Sequence, residues 1–212
     1  MNAARTTLLT HCGYPAAAFA ATLLTACATA PTRYYTLVDP ANNSEKHASS
    51  QFLIDVQPVR IPAQVDQPQL VVRTDDGGIQ LLEHERWIAP LADELRAVLS
   101  ANLVRELDAI DVADQPSPST GSVLRIRVEF QRLESVPGHY VSLDATWSLA
   151  ATERPALVCS SHVYDTVAPS YDAMVRGQRL LLNFLASRIA VAARPYAAGT
   201  LHTCPADANT AP

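Results

Sequence analysis

Apolar residues recur at two different periods along this 212-residue chain, and the switches between them mark the elements. From Val123 to Leu133 the alternation is of period two. Leu124, Ile126, Val128 and Phe130 share one face, and Arg125, Arg127, Glu129 and Gln131 the other, the pattern of a half-buried antiparallel strand. Val136-Pro137-Gly138-His139 turns the chain into a second such strand, where Val141, Leu143, Ala145, Trp147 and Leu149 alternate with Ser142, Asp144, Thr146 and Ser148. Arg154-Pro155 turns it again into Leu157 to Tyr164, so three meandering strands are expected at the centre of a sheet. Elsewhere the period lengthens. Trp87, Leu91, Leu95, Val98, Leu99, Leu103, Leu107 and Ile110 recur at steps of three and four. With Pro90 at its start, this predicts an amphipathic helix over Ala89 to Leu107, with Asp93, Arg96, Arg105 and Asp108 facing outward. Met174, Leu181, Leu182, Leu185, Ile189 and Ala192 give a second long helix over Tyr171 to Ala193, which Pro195 is expected to stop.

Shorter signals fill the remainder. Tyr34 to Val38 and Phe52 to Val56 read as strands, and Pro58, Pro62 and Pro68 bound an extended crossing around Val59-Arg60-Ile61, expected at an edge or on the surface. Gln69 to Arg73 and Gly78 to Leu82 flank Thr74-Asp75-Asp76-Gly77, the pattern of a β-hairpin. Residues 39–50 and 114–122 read as loops, and Ala197 to Pro212 as a mostly disordered tail. The expected fold class is α+β: a two-layer sandwich of a mainly antiparallel sheet with two long amphipathic helices, one domain over residues 34–194, and no internal repeat.

The first 26 residues stand apart. Arg5 is their only charge, and an apolar, alanine-rich run ends at Leu24-Thr25-Ala26-Cys27, the layout of a secretory signal. Leu-Thr-Ala-Cys resembles a bacterial lipobox, which makes residues 1–26 a signal peptide, Cys27 the lipidated first residue and residues 27–33 a short tether. The run is shorter than the roughly 20 residues that cross a bilayer. Covalent diacylglycerol and an N-acyl chain on Cys27 are then the anchor, each buried methylene contributing about 0.8 kcal/mol. Ala28 stands where an aspartate commonly retains a lipoprotein in the inner membrane, so sorting to the outer membrane is expected.

Charge and motifs narrow the chemistry. A net charge of -5 and a single lysine, Lys46, argue against nucleic acid. No glycine-rich phosphate loop, Gly-x-Ser-x-Gly elbow, His-Glu-x-x-His or Cys-x-x-Cys occurs, so no catalytic residue, metal or cofactor is expected. Glu83-His84-Glu85 reads as a solvated strand end before the helix, with a metal or acid–base cluster as the rival reading; His139 and His162 read as structural. Arg125 and Arg127 form a solvated strand face or a docking surface for an acidic partner. Cys159 and Cys204 would share an oxidising compartment, where they either pair or stay free, according to whether their Cα atoms approach within about 7 Å.

Several motifs then occur in order: Cys27; Tyr34-Tyr35-Thr36-Leu37; Asp55 to Ala63; Asp66 to Arg73; and Arg86-Trp87-Ile88-Ala89-Pro90-Leu91. Together they resemble the PqiC/YmbA lipoproteins, also called ABC-type transport auxiliary lipoproteins or membrane-integrity-associated transporter subunits, over roughly Tyr34 to Ala193. The resemblance implies a non-enzymatic periplasmic accessory that docks an MCE-domain substrate-binding protein to the outer membrane, and through it an inner-membrane permease and ATPase. Arg60, Ile61, Pro62, Gln67, Pro68, Gln69, Trp87, Pro90 and Leu91 are the contact residues this suggests, with a folding signature as the other reading of the same positions. Proline-fixed segments lose little entropy on binding, and a tryptophan is a frequent hot spot. A homo-oligomeric ring around a symmetric tube is compatible with the same role. The rival readings are a lipid carrier with a groove between helix and sheet, and a stand-alone structural envelope lipoprotein.

Overall fold

The long alternating run at 123–136 becomes the strand around which the rest is arranged. In a computed structural model, which describes residues 30–39, 52–113, 115, 122–152 and 154–205, the order is β1 (Arg33–Tyr35), β2 (Phe52–Val56), β3 (Gln69–Arg73), β4 (Ile79–Trp87), α1 (Leu91–Leu107), β5 (Ala109–Asp111), β6 (Val123–Val136), β7 (Tyr140–Ala150), β8 (Leu157–Thr166) and α2 (Tyr171–Ala198). The signal segment, Cys27, the loop at 42–50, most of the break at 114–122 and the tail beyond Pro205 lie outside the described residues.

The strands form two mixed sheets, ordered β5-β2-β6-β7-β8 and β1-β4-β3, and the fold is α+β. Three pairings are antiparallel (β3 with β4, β6 with β7, β7 with β8) and three are parallel (β1 with β4, β2 with β5, β2 with β6). The meander is therefore displaced from its expected place: β6 and β7 are interior, β8 is an edge, and the parallel strands β2 and β5 extend the other side. Leu124, Ile126, Val128 and Phe130 are buried as the alternation requires. The alternation breaks between Phe130 and Arg132, where an extra residue slips the register against β7.

Three element boundaries differ from the sequence pattern. Ile110 does not continue the α1 stripe. Asp108 adopts φ 43°, ψ 59° and ends the helix, a conformation Asp tolerates better than most residues, and Ala109–Asp111 turn to pair with β2. The Asp111 carboxylate holds this corner, accepting from Ser100 Oγ at 2.6 Å and from the amides of Val56 and Ala113. Second, β4 runs through Glu83-His84-Glu85 to Trp87 instead of ending near Leu82. Third, Pro195 does not stop α2. A proline removes one amide donor, and the carbonyl four residues back belongs to Val191, an exposed position. Tyr196 is buried and donates its hydroxyl to Pro155 O at 2.9 Å, holding the last turn until Gly199 closes it at φ 78°. The ordered chain thus passes residue 194 and includes the start of the expected tail, where Cys204 is bonded to Cys159 with Cα atoms 5.6 Å apart.

Both helices lie against the sheets and against each other. Asn102 Nδ2 donates to Asn183 Oδ1 at 2.6 Å between them. Ser170 caps α2 by accepting from Ala173 N at 3.1 Å. No described helix is long and apolar enough to cross a membrane.

Candidate docking surface

The start of α1 and the proline-bounded crossing meet at one end of the small sheet. Val65 N donates to Pro62 O and Gln67 N to Val65 O, so the chain turns twice after Pro62 and delivers Pro68 to the mouth of β3. Trp87 N then donates to Pro68 O at 2.9 Å, and Ile88 N to Tyr35 O at 2.9 Å. Pro90 opens α1: its carbonyl accepts from Asp93 N and Glu94 N, while the fixed ring supplies no side-chain cap. Asp93 and Glu94 in the first turn suit the positive end of the helix dipole.

Between these segments lies a shallow groove walled by Asp66, Gln67, Pro68, Ile88, Ala89 and Pro90, with Trp87 and Leu91 at its base. Five of the nine contact residues expected from the sequence, Gln67, Pro68, Trp87, Pro90 and Leu91, come together here. Trp87 is 5% exposed, so its ring is floor and core; the side chain that protrudes is Ile88, 62% exposed, which the sequence reading passed over. A lone isoleucine outside the helical stripe carries little signal in a sequence; its neighbour Trp87 attracted the assignment.

The other four residues lie elsewhere. Arg60 bridges to Glu129 on β6, its N–H reaching Val128 O at 3.3 Å and its carbonyl accepting from Phe130 N at 2.9 Å. Ile61 packs against the core and Pro62 opens the turn. Gln69 pairs with Arg86 at the start of β3. The stretch after β2 is thus a surface crossing along the edge of β6.

Glu94 is the polar residue that sequence reasoning missed. It is buried, and its Oε2 accepts from Thr36 Oγ1 at 2.7 Å and from Leu37 N at 2.7 Å. It ties the chain that follows β1 to the first turn of α1, directly behind the groove.

The remaining candidates are structural in their contacts. His139 Nε2 lies 3.3 Å from Asp75. His162 and Arg132 both bond the Asp144 carboxylate, Arg132 at 2.8 Å; partial burial pushes that carboxyl up, but these two donors hold it below the usual range. Burial likewise pushes Glu134 up, and the Tyr140 hydroxyl and the Arg73 guanidinium at 2.7 Å bring it down. Arg125 is matched to Asp55 at 3.1 Å. Among the described residues, no three metal-ligating side chains cluster. A cavity between α2, α1 and the sheets, lined by Leu37, Leu91, Leu133, Leu143, Leu181 and Leu182, encloses about 30 Å³, room for about one water.

Two solved structures share the fold. One, an uncharacterized protein, is 21% identical with a TM-score of 0.62, covering 76% of this chain and 97% of its own. The other, a Xanthomonas campestris protein assigned to the DUF330 family, is 14% identical with a TM-score of 0.53, covering 76% and 90%. No curated protein matches the chain significantly. The model of the ABC-type transport auxiliary lipoprotein component matches residues 35–190, from the end of β1 to the middle of α2. This chain therefore belongs to the family of ABC-type transport auxiliary lipoprotein components.

Proposed function

We propose that this protein is anchored by acyl chains on Cys27 to the periplasmic face of the outer membrane. There it docks the MCE-domain substrate-binding protein of an intermembrane lipid transport system, and through it the permease and ATPase, in support of membrane integrity. The observation that carries this reading is the groove at Gln67, Pro68, Ile88 and Pro90, where one protruding aliphatic side chain stands on backbone already fixed by proline. Such a site orders little on binding, and burying Ile88 contributes roughly 1.5–3 kcal/mol. The alternative of a lipid carrier calls for space beside the helices, and the cavity there has about 30 Å³. Affinity capture of the MCE protein by full-length acylated protein tests the proposal. Ile88→Asp is expected to lower recovery about tenfold or more, as loss of about 1.4 kcal/mol requires, with the melting temperature unchanged because Ile88 is exposed. Undiminished recovery with both Ile88→Asp and Gln67→Arg would overturn it.

A further inference from the structure

β8 closes one side of the five-stranded sheet, and part of its outer backbone is unpaired. The residues whose amides and carbonyls turn outward are the even-numbered ones. Cys204 Sγ lies 3.1 Å from Val158 O and Thr166 N donates to Asp165 Oδ1 at 2.9 Å, whereas Val167 N, of the other parity, donates back to His139 O just before β7. The chain's own tail therefore ends the open edge at Val158, and its own carboxylate ends it at Thr166. Between them Ser160, His162 and Tyr164 present backbone donors and acceptors that have no partner among the described residues. Edge strands usually carry a lysine, a proline or a bulge that deters another strand; β8 has none, and its register against β7 is unbroken from Leu157 to Thr166. A second observation lies beside the same edge. Arg188 Nε on α2 donates to Ser161 Oγ at 3.2 Å, which marks the side of the helix that faces β8. Residues three and four positions away share that side: Phe184 is 53% exposed and Val191 66%.

We infer that two copies of this chain associate through the β8 edge, antiparallel about a two-fold axis at His162, so that their five-stranded sheets become one. The unpaired backbone selects the kind of occupant, because an extended strand repeats its donors and acceptors at the same spacing. The two closed ends select the register. With the axis at His162, Ser160 faces the second copy's Tyr164, Tyr164 faces its Ser160, and every outward residue of the open stretch is bonded. A shift to either side would set one of them against Val158 or Thr166, which the chain has already covered. In this register a small side chain meets a large one, Ser160 lying beside a Tyr164 ring that already stacks on Tyr140 at 5.1 Å. The central His162 is bonded to Asp144 of its own chain and so brings its own counter-charge. Phe184 and Val191 of each copy border the joined strands, which gives these exposed apolar side chains a surface to cover.

The test uses the full-length protein in detergent. At the axis the two Cα atoms of position 162 lie about 5.5 Å apart, within the span of a disulfide, whereas position 160 lies four residue steps, about 14 Å, from its counterpart. His162→Cys is therefore expected to form a crosslinked dimer when oxidised with copper phenanthroline, and Ser160→Cys is not. Sedimentation gives the second measurement. The amide of residue 162 faces outward, so His162→Pro takes no bond from β7; it is expected to raise the dimer dissociation constant at least tenfold with little change in melting temperature. Should the proline variant not fold, His162→Lys, which sets like charges opposite each other at the axis, is expected to weaken the dimer in the same way. Crosslinking at position 160 but not 162, or dimerisation of the native protein and its folded variants to the same extent, places the contact elsewhere and overturns the inference. A native protein that sediments as a monomer at its highest soluble concentration leaves the edge to an extended segment of another protein and also overturns it.

Discussion

Glu94 joins the segment after β1 to the first turn of α1 by accepting from Thr36 Oγ1 and Leu37 N at 2.7 Å each. Hydrogen bonds to a charged acceptor contribute more than neutral ones, and removing the acceptor strands a buried amide. Glu94→Ala is expected to destabilise the fold by about 2–3 kcal/mol in urea titration, against about 1 kcal/mol for Thr36→Val, which leaves the bond to Leu37 in place. Sequence showed only an acidic residue in a first helical turn, a common surface feature; that it turns inward depends on β1 lying beside it, which no local pattern records. The carboxylates of Asp144 and Glu134 give a pH dependence of definite sign. Both are held below their usual values, which are about 3.9 and 4.3 in an unfolded chain. Their contribution is present above the unfolded values and lost as pH falls through the folded ones. The melting temperature should therefore decline below about pH 5, and Asp144→Asn with Glu134→Gln should flatten that decline. An unaltered slope in the double variant would remove these groups as its cause.

The elements with the longest periodic runs were legible in the sequence: β6 as far as its bulge, β7, β8, the hairpin and both helices begin close to where the pattern changes. What escaped depends on pairings between distant segments. β5 has three residues, too few to show alternation, and exists because β2 offers an open edge. Pro195 reads as a stop, yet the turn it sits in is held by Tyr196 reaching Pro155. Gly177 is similarly silent in sequence. On α2 it is buried, and a Cβ there would lie 2.6 Å from Val167 Cγ1 and 2.9 Å from Val141 Cγ2. The glycine thus sets how closely α2 approaches β7. Although alanine favours a helix by up to about 1 kcal/mol, Gly177→Ala is expected to destabilise by about 1–3 kcal/mol through overpacking. A gain in stability would show that α2 can retreat without loss.

β4 gives the protein a direction. Its hairpin end begins at Ile79, and its other end, at Trp87, opens into the groove with Ile88. Eight residue steps along the strand separate the two ends by about 26 Å. The contact residues taken from the sequence were divided by this arrangement: Gln67, Pro68 and Pro90 line the groove, while Arg60 lies on the edge of β6. The motifs bring five of these residues to one groove, and the fold determines which of their side chains are presented there.

The most direct measurement places a photocrosslinking amino acid at Ile88, and separately at Arg60, in intact cells, and identifies the adducts by mass spectrometry. The account predicts a covalent adduct with an MCE-domain protein from position 88 and none from position 60, which lies outside the groove. An adduct pattern shared by both positions, or the absence of a protein adduct at Ile88 in folded, membrane-anchored protein, would contradict it.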